Sequence, residues 1–496
     1  MADLLLICSI FFACVYYFTY HRSRKRLYEL AAKIPGPFDW PLIGSVHLGI
    51  RYKPQELFDY MLQHLHTIET PVRAWLGPTL FVFFDRPEHI AVILNSPSCV
   101  KRSYYYKFFR FEKGLLSAEP QLWRLLRKRL NPSFSSTIIN QFVPIFNKRA
   151  DKLVQTLDKF VGREAFDMLP KASSYTLSST LLTLLGANVR VDNNDYLEQF
   201  ADNSMKMFLL MWRRIYKPWI HLDFTYQLTS NFRKEQNHLR KLRDLSYEVY
   251  YQRQSIKSTQ KIDQSEDVPN QKEILIERLE SMTTITHEID EEILMTNIDT
   301  FLFASNDTTS FAIATTLLMM AMHPEVQDRA YQEVIAVIPQ DGYITTGDLA
   351  SLEYLEMVIK ESLRLIPVVA ILGKICEQEL QIGEWTIPVG AEVNIPIFKL
   401  HRDKTIWGER SDEFDPDNFL PERCSQRHPY AYIPFSAGIR NCIGMRYAWI
   451  SLKIVLAKLI KQYKFTTALT LKDLKFQASI VLVITNGHMM RIERRA

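Results

Sequence analysis

The run Phe435-Ser436-Ala437-Gly438-Ile439-Arg440-Asn441-Cys442-Ile443-Gly444 puts a sulfur, a guanidinium and two glycines into one short segment. A helical pattern follows at once, with Ala448, Leu452, Val455, Leu456 and Leu459 on one face. Cys442 thus opens a helix, where unpaired backbone N–H groups and the positive dipole end favour thiolate over thiol. Thiolate is the form that binds iron. Gly438 and Gly444 lack a Cβ, so the backbone can bend and pass close to a flat macrocycle. Arg440 can pair with a carboxylate on such a group. The plainer alternative for Cys442 is a buried small apolar residue, the usual fate of a free cysteine.

A second cluster lies inside an otherwise apolar helix expected over Ile293 to Met320, where Ala304-Ser305-Asn306-Asp307-Thr308-Thr309-Ser310 sets polar groups on a surface that should be buried. Buried polar groups need partners or a task. A threonine there can also bond the carbonyl four residues back and bend the helix. Glu361 and Arg364 stand three apart on one helix face, close enough to pair. Trp123 and Arg127 stand four apart in a basic amphipathic segment.

The segment from Phe435 to Gly444 resembles the cytochrome P-450 signature, with Phe435, Gly438, Arg440, Cys442 and Gly444 at every fixed position. The resemblance extends from Pro35 nearly to the C-terminus through Glu361-Ser-Leu-Arg364, Pro421-Glu422-Arg423, His401-Arg402-Asp403 and Tyr430 to Phe435. It implies a mainly α fold with small β-sheets around haem b, with Cys442 as the axial iron ligand. Oxygen chemistry promoted by thiolate ligation comes with it. It also implies that Arg440, Trp123, Arg127 and Lys374 contact the haem propionates. Lys374 replaces the family's usual arginine, giving the charge without the bidentate fork. Asp307 and Thr308 fill the family's acid and alcohol positions, the acid feeding protons through water and the hydroxyl holding oxygen. Glu361, Arg364 and Arg423 are assigned to a buried structural network.

The chain looks most like the family-4 group of fatty-acid ω-hydroxylases and insect microsomal monooxygenases. Two departures stand out. Ser305 replaces a usual glycine, which implies a narrower or differently hydrated groove, and Ala304 replaces a glutamate that many relatives can esterify to haem. The implied reaction is insertion of one oxygen atom from O₂ into an apolar small molecule: fatty acid, terpenoid, steroid or hormone, or xenobiotic. A haem-thiolate isomerase or dehydratase acting on an oxidised lipid is the alternative. No GxGxxG follows a strand and there is no P-loop, so NADPH must act through a flavoprotein reductase, with a small b-type cytochrome as a further partner. Arg127, Lys128, Arg129 and Arg446 are expected to form its docking face. Tyr104 to Phe111 and Met205 to Trp212 fall where the family places its access channel.

These residues need a large helical frame. Helices are expected over Asp151 to Val161 and Pro324 to Ile338 as well, and strands over Ala74 to Phe84, Leu380 to Pro388 with a turn at Gly383, Glu392 to Pro396 and Ile480 to Thr485. Ser255 to Lys272 reads as a solvated loop. Residues 1–20 read as a transmembrane anchor, because Leu4 to Tyr20 carries no charge and is long enough to cross. Residues 21–37 form a basic flank and a stiff Pro-rich hinge, and 38–496 the catalytic domain. The cations at Arg22, Arg24, Lys25 and Arg26 keep the body cytosolic, as in an endoplasmic reticulum membrane protein. The cysteines, scattered without a CxxC pair, fit a reducing compartment. A net charge of +5 with no basic motif gives no basis for nucleic-acid binding.

Overall fold

The computed structural model describes residues 11, 15, 17–37, 43–53, 56–61, 70–260, 273–340 and 342–495. Most of the expected anchor, Leu4 to Tyr20, lies outside them, and no helix among the described residues is long and apolar enough to cross a membrane. The helices that matter here are α1 (Lys25–Ala31), α2 (Pro120–Leu130), α3 (Val143–Leu157), α4 (Met168–Thr183), α5 (Asn194–Ile215), α6 (Ser230–Gln260), α7 (Glu291–Met322), α8 (Pro324–Val337), α9 (Glu353–Leu365) and α10 (Met445–Gln462).

Helix α7 runs through the centre of the larger core. Asp290 caps it by accepting from the Ile293 N–H at 2.8 Å, and the prolyl residue Pro324, which opens α8, follows its end. Its apolar residues point in every direction because neighbours cover it on all sides, with Leu317, Leu318, Met319 and Met320 fully buried. The hydroxyl-rich α4 lies along it, joined by side-chain bonds from Ser173, Thr176 and Thr180. Helix α10 crosses behind, where Tyr175 of α4 donates to the Ser451 carbonyl at 3.2 Å.

The smaller core is built on a four-stranded sheet of β1 (Val72–Leu76), β2 (Thr79–Phe83), β7 (Glu392–Ile395) and β4 (Leu372–Ile375), β3 being the short Phe166–Asp167 and β5 and β6 the hairpin Leu380–Ile382 and Trp385–Ile387. Strands β2 and β7 run parallel with Phe81 opposite Glu392, and β4 pairs antiparallel to β7 with Lys374 opposite Val393. The single strand expected over Ala74 to Phe84 is a hairpin instead, because Gly77 takes φ 58° and turns the chain. Residues 255–260, expected in a loop, continue α6. Helix formation there needs no apolar face of its own, since the helix is already nucleated and packed upstream.

The segment expected to be a hinge is attached to the body. Leu27, Leu30, Ala31 and Ile34 are buried, and the Arg73 N–H donates to the Pro35 carbonyl at 2.7 Å. A Cβ on Gly36 would lie 2.5 Å from the Arg73 carbonyl oxygen, so only glycine allows this approach.

Candidate active site

The loop ahead of α10 is held from three sides. Gly438, at φ 68°, lies so close to Leu94 that a Cβ would sit 2.1 Å from its carbonyl oxygen. This glycine is therefore required by packing against Leu94. The Cys442 N–H donates to the Phe435 carbonyl at 3.0 Å and closes the loop. From α2, Arg127 donates to the Asn441 carbonyl at 2.7 Å and to Asn441 Oδ1 at 2.6 Å. Its guanidinium acts as a clamp on the residue next to the thiol.

Cys442 itself has accessible area although protein surrounds it, so its thiol faces interior space. It does not open the helix: Gly444 is the N-cap, and Cys442 lies before it. Burial pushes the thiol up, while the Gly444 N–H and the charges of Arg127 and Arg102 pull it down. The net direction is upward, so the chain alone does not favour thiolate. A coordinating metal does, because a ligating thiol is deprotonated outright.

Beside this space lies a cluster of cations that makes no ion pair among the described residues; Glu119, which acts on Arg440 by charge alone, is paired with Lys101. Arg440 is buried and donates to the carbonyls of Val100, Leu115, Leu116 and Ala118, with its guanidinium 4.8 Å from the Trp123 ring and its Nε unpartnered. Burial, with repulsion from Arg102 second, brings it down to about 8. Lys374 is buried, and its ammonium has no hydrogen-bond or ion-pair partner among the described residues. Burial pushes it well below the usual lysine range, and Arg102 and Arg440 add repulsion. Arg102, bridged to Lys374 as an isolated β pair, leaves Nη1 buried and unpartnered. Buried cations of this kind need an anion. The donor set fits the carboxylates of a haem, which Arg102, Lys374 and Arg440 would hold, with Trp123 packed against Arg440. Sequence reading missed Arg102, since only strand pairing with distant Lys374 marks it.

Helix α7 is continuous through its polar cluster. Thr308 donates to the Ala304 carbonyl at 2.6 Å and Ser305 to the Phe301 carbonyl at 2.5 Å. Ser305 also meets Thr180 of α4 at 2.8 Å, so its hydroxyl is turned toward α4. Asp307 accepts from Asn306 Nδ2 at 2.8 Å and from the Ser204 hydroxyl of α5. Burial raises it to about 7, against those two hydrogen bonds.

Glu361 and Arg364 form a bidentate pair at 2.7 Å, both fully buried. Arg364 also donates to the carbonyls of His401, Ser411 and Glu413, and Glu361 accepts from the Asp415 N–H and from Asn418. Arg423 stands outside this network. Its side chain is 47% exposed and meets Asp415 at 3.2 Å, while the inner place over Trp407 is taken by Arg427, 4.2 Å from the ring. The expected docking face shrinks likewise: Arg127 is turned inward, Arg129 pairs with Glu288, and Lys128 and Arg446 remain exposed.

An apolar cavity of about 230 Å³ runs between the sheet and the end of α5, lined by Leu57, Phe81, Tyr105, Trp212, Ile215 and Ile371 among others. The stretches Tyr104 to Phe111 and Met205 to Trp212 give it Tyr105 and Trp212. Met207, Phe208 and Met211 are buried, and Phe208 packs its ring on Phe109 and Phe303.

A mainly helical body, with a thiol facing interior space next to a buried cationic cradle, defines the haem-thiolate class. The Cytochrome P450 family profile matches residues 34–491. The chain is 30% identical to probable cytochrome P450 313a4 of Drosophila melanogaster over 99% of both chains. It is 31% identical to cytochrome P450 4c3 of the same organism over 97% of this chain and 93% of that one. Identity to cytochrome P450 4V2 of Mus musculus is 30%, over 92% of this chain and 88% of that one. The chain belongs to the cytochrome P450 family, and it is a haem-thiolate monooxygenase that binds haem b through a cysteine thiolate.

Proposed function

We propose that this enzyme oxygenates an apolar small molecule (fatty acid, terpenoid, steroid or xenobiotic) with Cys442 as the iron ligand and electrons drawn from NADPH through a flavoprotein reductase. The observation that carries the substrate class is the apolar cavity walled by Phe81, Tyr105, Trp212 and Ile371. Arg102, Lys374 and Arg440 hold the haem carboxylates, Trp123 backs Arg440, and Arg127 holds the ligand loop through Asn441. Bound haem supplies the activation of O₂. The chain supplies protons: Asp307, raised to about 7, both holds and releases a proton at its carboxyl near neutral pH. The Thr308 proton is committed to the Ala304 carbonyl, which leaves Thr308 Oγ1 as an acceptor. Exposed Lys128 and Arg446 support a basic docking face for the reductase, which a small b-type cytochrome can share. The uncharged run from Leu4 to Tyr20 and the cations after it support an anchor over 1–20 in the endoplasmic reticulum membrane, with the body cytosolic.

The test is reconstitution with reductase and NADPH in phospholipid vesicles under ¹⁸O₂, on substrates of each class. One labelled oxygen in the product and loss of rate at high salt are expected. Turnover without label would refute oxygen insertion, and a Cys442→Ser protein that kept the red-shifted Soret band of the reduced carbon monoxide complex would refute the ligand.

A further inference from the structure

Ser204 is fully buried in α5, among Met207, Phe208 and Met211. A helical serine usually returns its proton to the carbonyl four residues back, as Ser305 and Thr308 do. Ser204 instead crosses to α7 and donates to Asp307 Oδ2, its one side-chain bond among the described residues. Elsewhere in this region α5 and α7 meet through rings, with Phe200 and Phe208 each 5.6 Å from Phe303. The other carboxyl oxygen, Oδ1, accepts from Asn306 at 2.8 Å. Asn306 is itself fixed from α4, accepting at Oδ1 from Ser173 at 2.9 Å and from Thr176 at 2.7 Å. The two oxygens of one carboxyl are thus held by donors answering to two different helices.

We infer that Ser204 is a positioning residue for Asp307, fixing Oδ2 from a second helix and setting how readily the carboxyl gives up its proton. This rests on the proton-handling role proposed for Asp307. A hydroxyl donating to the ionised form favours that form, so it offsets part of what burial does. Charged neighbours do not take over the task. On α5, Asp202 and Lys206 pair with each other at 2.6 Å on the exposed face. On α6, His238 bonds Asn203 at 2.9 Å, and Arg243 pairs with Asp299 of α7 at 3.5 Å. Helix α4 presents the hydroxyls of Ser173, Thr176 and Thr180. Among the described residues no charged side chain contacts Asp307.

The experiment is an infrared titration of the holoenzyme, reading the protonated carboxyl band that Asp307→Asn removes. Wild type should titrate near 7. Ser204→Ala should titrate about one pH unit or more higher, the effect of losing a charge-assisted hydrogen bond. Ser204→Thr, which keeps the hydroxyl, should return toward wild type. The pH profile of product formed per NADPH consumed should move the same way. An unchanged midpoint in Ser204→Ala would overturn the inference. So would a wild-type band at the frequency of a carboxyl free of hydrogen bonds, a result that needs no variant to fold. The band is read without turnover, so an enzyme that failed to oxygenate would remove the proposed function and leave this measurement standing.

Discussion

Replacing Glu361 by Gln should destabilise the protein far more than removing Arg423, although both belong to motifs of the same resemblance. Glu361 offers two oxygens to four donors: Arg364 Nε and Nη2 at 2.7 Å, the Asp415 N–H at 2.9 Å and Asn418 Nδ2 at 3.1 Å. Glutamine keeps the shape, yet one oxygen becomes an NH₂ facing a donor, and the fully buried Arg364 loses its counter-charge. Breaking one half of such a buried pair costs about 3–5 kcal/mol, a large share of the roughly 5–15 kcal/mol by which domains are stable. Arg423, half in solvent beside Asp415, is worth about 0–1 kcal/mol as an exposed pair. Urea unfolding of the holoprotein, followed by the Soret band and by far-ultraviolet circular dichroism, separates the two. Glu361→Gln should unfold at clearly lower urea and Arg423→Ala close to wild type. Equal shifts in the two variants would refute the assignment of the buried network to Glu361 and Arg364.

Asp307 holds in the folded protein, up to about 7, a proton that the unfolded chain releases near 3.8. Stability should therefore fall as pH rises from about 4 to about 7 and level off above. Asp307→Asn should lack that slope and have the higher thermal midpoint at pH 8. Lys374→Glu should pair with Arg102 and Arg440, so the haem-free protein becomes more stable while haem retention, read by absorbance after gel filtration, falls about tenfold or more. Arg127→Ala should free Asn441 and speed haem loss, with Arg127→Lys between it and wild type because a lysine has no planar fork.

What could be read in advance was local. The ligand loop, the Glu361 and Arg364 pair and the full length of α7 are set by residues a few positions apart, and the structure has them together. Contacts across the chain were illegible. Arg102 joins the cradle only because its segment bridges to Lys374, and nothing marks Ser204, between Asn203 and Met205, as the partner of Asp307. Gly438 fits the signature, yet its packing reason lies in Leu94. Position on a helix does not say which neighbour a hydroxyl finds, and for Ser305 it is Thr180. Arg423 was misplaced by the same limit, since motif membership does not fix burial.

The meeting of Arg102, Lys374 and Arg440, none of them ion-paired among the described residues, bears on how the protein is made. Without a dianionic guest, burial and mutual repulsion push Lys374 and Arg440 toward their neutral forms, and their charged forms become favourable once a counter-ion arrives. Binding haem should therefore stabilise the folded chain, so the haem-free form is expected to be the more readily digested by a protease. The cell would see haem shortage first as a loss of this protein and only afterwards as a loss of its activity.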